Sequence, residues 1–273
     1  MKDVLIVNAD DWGGGRSVTD AIHSCFRAGA ITSTSGMVHM DDSQRAAELA
    51  LAEGLPVGLH LNLTQPFSAD DVPAPVRARQ ERLVAHFANL RKRRWSYDPR
   101  VRSEVAAAVR EQFDEFDRLY GRRPTHMDSH HHVHVCPDVL LSGAIPPGIK
   151  LRTTLTPMRS GCASLSDVPR FLKHAAIRRR FRVTDAFLAV SRLCGRDGPE
   201  GLRPAIDLSR EADVEVMVHP SFAEELPLLL SPGWRAALAP ATLGSYSDLS
   251  PLAGPDGDPV ALADGAPSVR RDS

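Results

Sequence analysis

Short apolar segments alternate with longer amphipathic ones along most of the chain. Residues 4–7 are wholly apolar, which is typical of a strand buried on both faces of a parallel sheet. Residues 57–63 alternate, with leucines on one face and His60 on the other. Residues 214–220 form another apolar run, which ends in a His-Pro pair. Each of these three segments is predicted to be a strand.

Amphipathic segments lie between the predicted strands. Residues 101–120 carry apolar side chains at three- or four-residue steps and are followed by Gly121, as expected for a helix and its C-terminal cap. Residues 17–28 and 46–52 are predicted helices for the same reason, and a glycine follows each of them closely. Further strands are predicted at residues 31–40, 149–151 and 185–190 and from residue 125, and further helices at residues 168–182 and 234–238.

This order of strands and helices predicts an α/β fold with about seven parallel strands. Polar residues gather at the carboxyl ends of several strands. A barrel brings such ends together around one mouth, whereas an open doubly wound sheet would spread them apart, so we expect an irregular (β/α) barrel. Residues 1–253 are predicted to form it as a single domain, with a proline-rich excursion at about residues 65–99. Residues 254–273, rich in Gly, Pro, Asp and Ala, are predicted to be a flexible tail.

The composition is that of an ordinary soluble protein. The 273 residues can bury a large core, and 42% of them are hydrophobic and 25% charged. The net charge of −1 provides no general attraction to nucleic acid, so no nucleic-acid partner is expected. Two local basic runs, at residues 91–94 and 178–180, are interpreted as solvated helix faces.

The cysteines and the N-terminus bear on the cellular compartment. Cys25, Cys136, Cys162 and Cys194 are widely spaced and form neither a disulfide pattern nor a thiolate zinc motif. The first residues do not resemble a signal peptide, and no apolar run approaches the roughly 20 residues that span a bilayer. We therefore expect a cytoplasmic protein without stable membrane insertion.

The most unusual segment is residues 125–135, which holds five of the 11 histidines together with Asp128. Imidazole nitrogen and carboxylate oxygen are good ligands for borderline divalent metals. In an extended strand alternate side chains share a face, so His126, Asp128 and His130 would lie on one side. The strand is expected to stop before Pro137. This segment predicts a metal site or an acid–base site.

Other polar residues mark the carboxyl ends of the predicted strands. One carboxylate and two imidazoles would hold a divalent metal with open positions, a second carboxylate could take a proton from water, and a histidine opposite could protonate a leaving group. An arginine there could orient that carboxylate or hold substrate. Such a set suits hydrolysis of an amide or ester. Alternatively, an aspartate after residue 9 could cap the next helix, and the histidine of residues 57–63 could be structural. The residues concerned are Asp10, Asp11, His60, His130, Arg152 and His219.

Four motifs in the same order resemble the YdjC-like carbohydrate deacetylases, over about residues 2–250. They are Asn-Ala-Asp-Asp at 8–11, Gly-Leu-His-Leu at 58–61, Thr-His-Met-Asp-Ser-His-His-His at 125–132, and Val-His-Pro at 218–220. The resemblance implies an irregular (β/α) barrel of the glycoside hydrolase/deacetylase kind, one Mg²⁺ or Zn²⁺ ion, and removal of N-acetyl groups from amino sugars. The substrate partner would be a small N-acetylated sugar, and the chain could form a homodimer.

The resemblance also implies roles for individual residues. Asp11, His60 and His130 would be the metal ligands. Asp10 would be the general base and His219 the general acid. The residues with a substrate-binding or orienting role would be Arg152, Asp128, His131 and Trp12.

The chain departs from the family pattern at a few positions. Trp12 stands where Phe usually follows the paired aspartates, residues 13–15 are three glycines, and Ala186 stands where another His is expected. These changes spare the implied metal ligands and bear on the substrate. Two other functions stay open: a metal-dependent phosphoesterase on a similar barrel, and a non-catalytic sugar-binding or regulatory protein.

Overall fold

A computed structural model describes residues 3–154, 168–195 and 197–250 of the chain. Its centre is one parallel sheet of nine strands, in the order β6-β5-β4-β3-β2-β1-β8-β7, with β9 also paired to β1. The strands are β1 (Leu5–Trp12), β2 (Ser33–Gly36), β3 (Val57–Leu61), β4 (Met127–Ser129), β5 (Lys150–Leu151), β6 (Arg182–Val183), β7 (Ala186–Ala189), β8 (Val214–Val218) and β9 (Leu243–Gly244).

The sheet curls into an irregular barrel. Strands β6 and β7 stand at opposite ends of the strand order, yet only Thr184 and Asp185 separate them along the chain. The three residue steps from Val183 to Ala186 span no more than about 11 Å, so the ends of the sheet must approach each other. The predicted irregular (β/α) barrel is therefore confirmed. All seven predicted strands are present, and the structure adds the two-residue strands β6 and β9.

Helices connect the strands and cover the outside of the barrel. Strands β1, β3 and β8 are almost fully buried, as expected for a sheet covered by helices. The helices are α1 (Arg16–Arg27), α2 (Ser43–Glu53), α3 (Ala74–Phe87), α4 (Leu90–Arg93), α5 (Arg102–Tyr120), α6 (Pro137–Leu140), α7 (Val168–Arg178), α8 (Val190–Cys194), α9 (Arg203–Leu208), α10 (Glu225–Leu229) and α11 (Pro232–Leu238).

Some element bounds differ from the predicted ones. The run at residues 31–40 forms a strand only at Ser33–Gly36, and the helix predicted at 168–182 ends at Arg178 because β6 follows it. The histidine-rich strand is short: it ends at Ser129, and a 3-10 helix occupies His130–Val135.

The excursion at residues 65–99 contains α3 and α4 and is fastened to the barrel. The carboxylate of Asp138 is fully buried and accepts hydrogen bonds from His86 Nε2 at 2.9 Å and from the backbone N–H of Asp98 at 2.7 Å. One side chain of α6 thus holds both the end of α3 and the end of the excursion. The predicted tail at residues 254–273 lies outside the described residues.

Three of the cysteines, Cys25, Cys136 and Cys194, are buried free thiols, and Cys162 lies outside the described residues. In the described part of the chain, no helix combines the length and the apolar character needed to cross a membrane.

Candidate active site

The two adjacent aspartates at the end of β1 reach the same edge of the barrel because the strand is irregular there. In a regular strand, neighbouring side chains point to opposite faces. Asp11 instead has a positive φ of 71°, and the register between β1 and β2 shifts between Ala9 and Trp12. This bulge turns both Asp10 and Asp11 toward the carboxyl ends of the strands. Neither aspartate caps α1, whose N-cap is Gly15.

Asp11, His60 and His130 form the first cluster. Asp11 Oδ1 lies 3.1 Å from His60 Nε2 and 3.0 Å from His130 Nδ1, and the two imidazole rings are 5.6 Å apart. One nitrogen or oxygen atom of each residue lies within 4.8 Å of the others. The barrel thus brings together three side chains that are distant in sequence, in the way the strand-end pattern predicted.

This cluster fits a divalent cation. His60 Nε2 is buried and has no hydrogen-bond partner among the described residues, because its contact with Asp11 lacks hydrogen-bond geometry. Two imidazole nitrogens and one carboxylate oxygen form a donor set that suits Zn²⁺ and related ions and leaves coordination positions open. His60 Nδ1 lies 2.7 Å from the buried carboxylate of Asp128, which is the usual partner of a metal-binding imidazole.

Neighbouring charged groups shift the pKa values of Asp11 and His60. Burial favours a raised pKa for Asp11, but the contacts with His130 and His60 outweigh it and hold that pKa well below its usual range. Burial favours a lowered pKa for His60, but the negative charge of Asp128 and the contact with Asp11 raise it to about 10. His60 is therefore protonated at neutral pH, and a cation that binds at Nε2 must displace this proton.

A buried arginine links the second carboxylate to the rest of the site. Arg152 has no exposed surface, and its guanidinium nitrogens lie 2.6 Å from both oxygens of Asp10. It also contacts Asp128 at 2.6 Å and Glu215 at 2.8 Å. Asp10, His60 and Asp128 also lie within 4.8 Å of one another, but the guanidinium occupies the space between the two carboxylates. Arg152 thus fixes both oxygens of the Asp10 carboxylate in place.

Burial and the charge of Arg152 act in opposite directions on the pKa values of these buried acids. Burial alone would raise the pKa of Asp10, and the Arg152 charge outweighs this effect, so Asp10 stays ionised. For Glu215, burial is the stronger effect and raises the pKa to about 7. The hydroxyl group of Tyr246 donates a hydrogen bond to Glu215. A chain of hydrogen bonds thus runs from Tyr246 through Glu215 and Arg152 to Asp10.

His219 follows β8 and lies close to Asp10. Its Nε2 is 3.9 Å from Asp10 Oδ2, and its ring stacks on Phe222 at 4.9 Å. Its backbone N–H donates to Glu225 at 2.5 Å, which fixes the chain at the end of the strand. The side chain is 20% exposed, so the imidazole can reach a molecule bound at the mouth of the barrel.

The histidines of residues 126–134 separate into different environments. His126 stacks on Tyr246 at 3.8 Å, and His134 is buried with its Nδ1 2.6 Å from Ser129 Oγ. His131 is exposed, and its Nδ1 lies 3.1 Å from Thr64 Oγ1. Among these histidines, only His130 joins the cluster around Asp11.

Two of the remaining predicted residues have no exposed surface. Trp12 and Asp128 are each 0% exposed. Asp128 pairs with His60 and Arg152, whereas the Trp12 ring lies 6.5 Å from the ring of His23 in α1. The sequence prediction did not include Glu215, Tyr246, Asn8 and Ser35. Glu215 could have been recognised as an acidic residue within the otherwise apolar strand β8. The Asn8 amide donates hydrogen bonds to Asp10 and to Ser35. These contacts could be recognised only once the arrangement of the strands in the barrel was known.

A curled parallel barrel that carries an Asp/His cluster at the carboxyl ends of its strands defines an α/β protein with a potential metal centre. The chain belongs to the YdjC-like family: the family model described as YdjC-like protein matches residues 4–240. The family predicted from the four motifs is confirmed.

Named relatives cover nearly the whole chain. A chitooligosaccharide deacetylase of Serratia marcescens is 29% identical over 280 residues, covering 91% of this chain and 100% of the relative. One of Escherichia fergusonii is 30% identical over 276 residues, with the same coverage of both chains. A crystal structure of a candidate cellobiose-phosphate cleavage protein of Enterococcus faecalis V583 is 22% identical with a TM-score of 0.65, and it covers 90% of this chain and 98% of that one. At this identity the structural likeness supports the fold alone.

Proposed function

We propose that this chain is a metal-dependent hydrolase that removes N-acetyl groups from an amino sugar or an N-acetylated oligosaccharide or glycoconjugate. The observation that carries the proposal is the convergence of Asp11, His60 and His130 beside Asp10 and His219. The relatives named chitooligosaccharide deacetylase support the same substrate class.

Asp11, His60 and His130 would hold one Mg²⁺ or Zn²⁺ ion. When bound, such an ion acidifies water and polarises a carbonyl group. Asp10 accepts the proton of the attacking water. Arg152 grips both oxygens of Asp10 at 2.6 Å, so the carboxylate is held in one orientation and in its ionised form.

His219 completes the proton transfers. The water oxygen adds to the acetyl carbon, the C–N bond breaks, and the leaving amine takes a proton from His219. The products are acetate and the free amino sugar. His131 is exposed at the mouth and offers a contact to the substrate, whereas Trp12, Asp128 and Arg152 orient the site from within.

The two alternatives fit the site less well. A phosphoesterase needs a cation that can reach the phosphate, but Arg152 is fully buried and pairs with three carboxylates. A non-catalytic sugar-binding protein has no need for an ionised carboxylate and an imidazole that flank an Asp/His cluster, and Asp10 and His219 are both present.

The proposal is tested by measuring acetate release from a panel of N-acetylated sugars, with and without a chelator. We expect release from at least one sugar, loss of release after chelation, and recovery on addition of Mg²⁺ or Zn²⁺. A purified chain that releases no acetate from any of these sugars in the presence of either ion would contradict the proposal. Phosphate release from sugar phosphates would favour the phosphoesterase.

Three further proposals rest on the sequence. Residues 1–253 form one domain, the protein acts in the cytoplasm on a small sugar, and two copies form a homodimer. Light scattering of the purified chain tests the last of these, since a monomeric mass would contradict it.

A further inference from the structure

One side of the molecule gathers exposed apolar side chains. They lie at the end of the excursion, directly after α6 and in α7, and they are between 39% and 67% exposed. Single exposed apolar residues are common on proteins, but a group of them on neighbouring elements indicates a docking surface. We call this group and the basic residues around it the α7 face. Its apolar members are Trp95, Tyr97, Leu141, Phe171 and Leu172.

Direct contacts hold these elements side by side. Lys173 Nζ in α7 lies 4.2 Å from the ring centroid of Trp95 and donates a hydrogen bond to the backbone oxygen of Arg94 at 3.1 Å. The guanidinium of Arg180 donates to the backbone oxygen of Leu140, at the end of α6, at 3.3 Å. The end of the excursion is also fastened to α6 by the buried carboxylate described above. The three elements therefore form one continuous surface.

The charge of the α7 face differs from that of the whole chain. Residues 88–97 contain four Lys or Arg and residues 168–184 contain six, and neither segment contains an Asp or Glu. One acidic neighbour, Asp185, pairs with Arg178 at 2.8 Å. Because the net charge of the chain is −1, this positive charge is local, and it favours an anionic partner. The exposed basic residues of the two segments include Arg91, Lys92, Arg94, Arg178, Arg179 and Arg180.

Helix α7 presents apolar and basic side chains to the same side. Leu172, Ala176 and Arg179 follow each other at four- and three-residue steps, which places them on one helix face, and all three are exposed. Ile177, which lies on the other side of the helix, is buried in the core. A basic amphipathic helix of this kind is typical of proteins that bind membrane surfaces.

The combination of side chains distinguishes between possible partners. In a two-fold dimer through this face, two basic surfaces would meet, and like charges disfavour that contact. A nucleic acid would use the positive charge but would leave the exposed Leu141 and Leu172 without apolar partners. An anionic bilayer uses both features, because basic side chains attract its headgroups and leucine, tryptophan and tyrosine side chains settle at its interface.

We propose that the α7 face binds the surface of an anionic phospholipid bilayer. Leu172 and Trp95 reach the boundary of the acyl chains, and the exposed arginines of α4 and α7 lie among the headgroups. The binding is peripheral and weakened by salt, since it combines a small apolar area with charge attraction. This inference does not depend on the proposed deacetylase activity.

The test is sedimentation of the purified full chain with lipid vesicles. One set is phosphatidylcholine alone, and the other is equal parts of phosphatidylcholine and phosphatidylglycerol. We expect the chain to sediment with the anionic vesicles at low salt, to be released at high salt, and to stay in solution with phosphatidylcholine alone. Absence of binding to the anionic vesicles at low salt would overturn the proposal, and so would equal binding to both sets.

The apolar part of the face is tested with Leu172→Ser. Its partition coefficient onto anionic vesicles should fall roughly 10-fold, the loss expected when one leucine no longer enters an apolar environment. Leu51→Ser is the matched control, because Leu51 is a 48% exposed leucine of α2. Helix α2 leads into β3, which lies three places from the β6 strand that follows α7. An equal fall in both variants, or a fall in neither, would contradict the assignment of this face.

The charged part is tested with the double variant Arg91→Gln/Arg179→Gln. Removing two basic residues should lower the partition coefficient roughly 10-fold or more. The control Arg27→Gln/Arg118→Gln changes the net charge equally on α1 and α5 and should bind like the wild type. All four side chains are exposed, so both variants should fold normally. Equal losses in the two variants would show that net charge alone drives binding and would overturn the proposed face.

A titration with duplex DNA covers the other anionic partner. Tighter binding to DNA than to anionic vesicles, with the same DNA affinity in Leu172→Ser and wild type, would assign the basic residues to nucleic acid and overturn the bilayer proposal. Tighter binding to the vesicles, with the loss in Leu172→Ser, supports it.

Discussion

At the scale of single residues, the site combines a cluster suited to a cation with a buried network that supports it. The sequence predicted the convergence of Asp11, His60 and His130, because the carboxyl ends of parallel strands meet at one edge. It did not predict that Arg152 donates a hydrogen bond to Glu215 and that Tyr246 donates one to the same carboxylate. These contacts join segments that are distant in sequence and show no common pattern of residues. Partners deep inside a barrel become visible only when the strand order is known.

His60→Ala should abolish both metal binding and activity, because it removes one of the three proposed ligands. The purified variant is analysed for metal by mass spectrometry and for acetate release. His23→Ala is the matched control, since His23 pairs with Glu53 away from the site. Metal content equal to that of the wild type in His60→Ala would refute the ligand assignment.

His219→Ala should keep the metal and lose turnover by about 10²–10⁴-fold, the usual contribution of an acid–base group. The variant should fold normally, since the bond to Glu225 comes from the backbone N–H and is preserved. Metal content and kcat are measured on the same sample. Wild-type turnover would remove His219 from the role of proton donor.

At the scale of elements, packing inside the barrel explains a glycine in one of the motifs. A Cβ atom on Gly58 in β3 would lie 2.3 Å from the ring of His126, the residue just before β4, and that ring is itself stacked on Tyr246. The strand and helix patterns predicted seven of the strands and the long helices α1, α2, α5 and α7, but not α3, which lies within the proline-rich excursion. They missed β6 and β9, because two residues carry no periodicity and such strands exist only through their neighbours.

Gly58→Ala should lower the free energy of unfolding by about 1–3 kcal/mol, since the added methyl group has no space and the His126 ring cannot move without losing its stack. Urea unfolding monitored by circular dichroism measures the loss. Gly54→Ala separates crowding from backbone strain: Gly54 has a φ of 69° but open space around its Cβ position. Equal losses in both variants would argue against crowding at Gly58.

At the scale of the whole molecule, stability should depend on pH through buried histidines. Burial lowers the pKa of His126 and His132 to about 3 and that of His134 to about 4. Between about pH 4.5 and 6.5 the unfolded chain therefore binds protons that the folded chain does not, and stability rises with pH. Glu215, whose pKa is raised to about 7, has the opposite effect. The folded chain holds one proton there that the unfolded chain has released, so this group lowers stability as pH rises.

We therefore expect, in the presence of a chelator, a maximum of stability near pH 6.5 and a decline toward acid. Above pH 6.5 stability should also decline. Burial alone would lower the pKa of His60, but the charge of Asp128 and the contact with Asp11 together outweigh burial and raise it to about 10, so the stabilisation from the protonated folded form is lost as pH rises from 6.5 toward that value. Urea midpoints measured from pH 5 to 9 test the shape of this curve. Stability that stays constant from pH 6.5 down to 5 would contradict the neutral state of the buried histidines.

The match to the family model ends at residue 240, but the interior of the barrel is completed beyond that point. Strand β9 pairs with the start of β1, and Tyr246 fills the space between His126 and Glu215. A chain cut after residue 240 would keep every proposed metal ligand and every proposed proton carrier. It would nevertheless lose β9 and Tyr246, and with them the stack on His126 and the hydrogen bond to Glu215 beside Arg152.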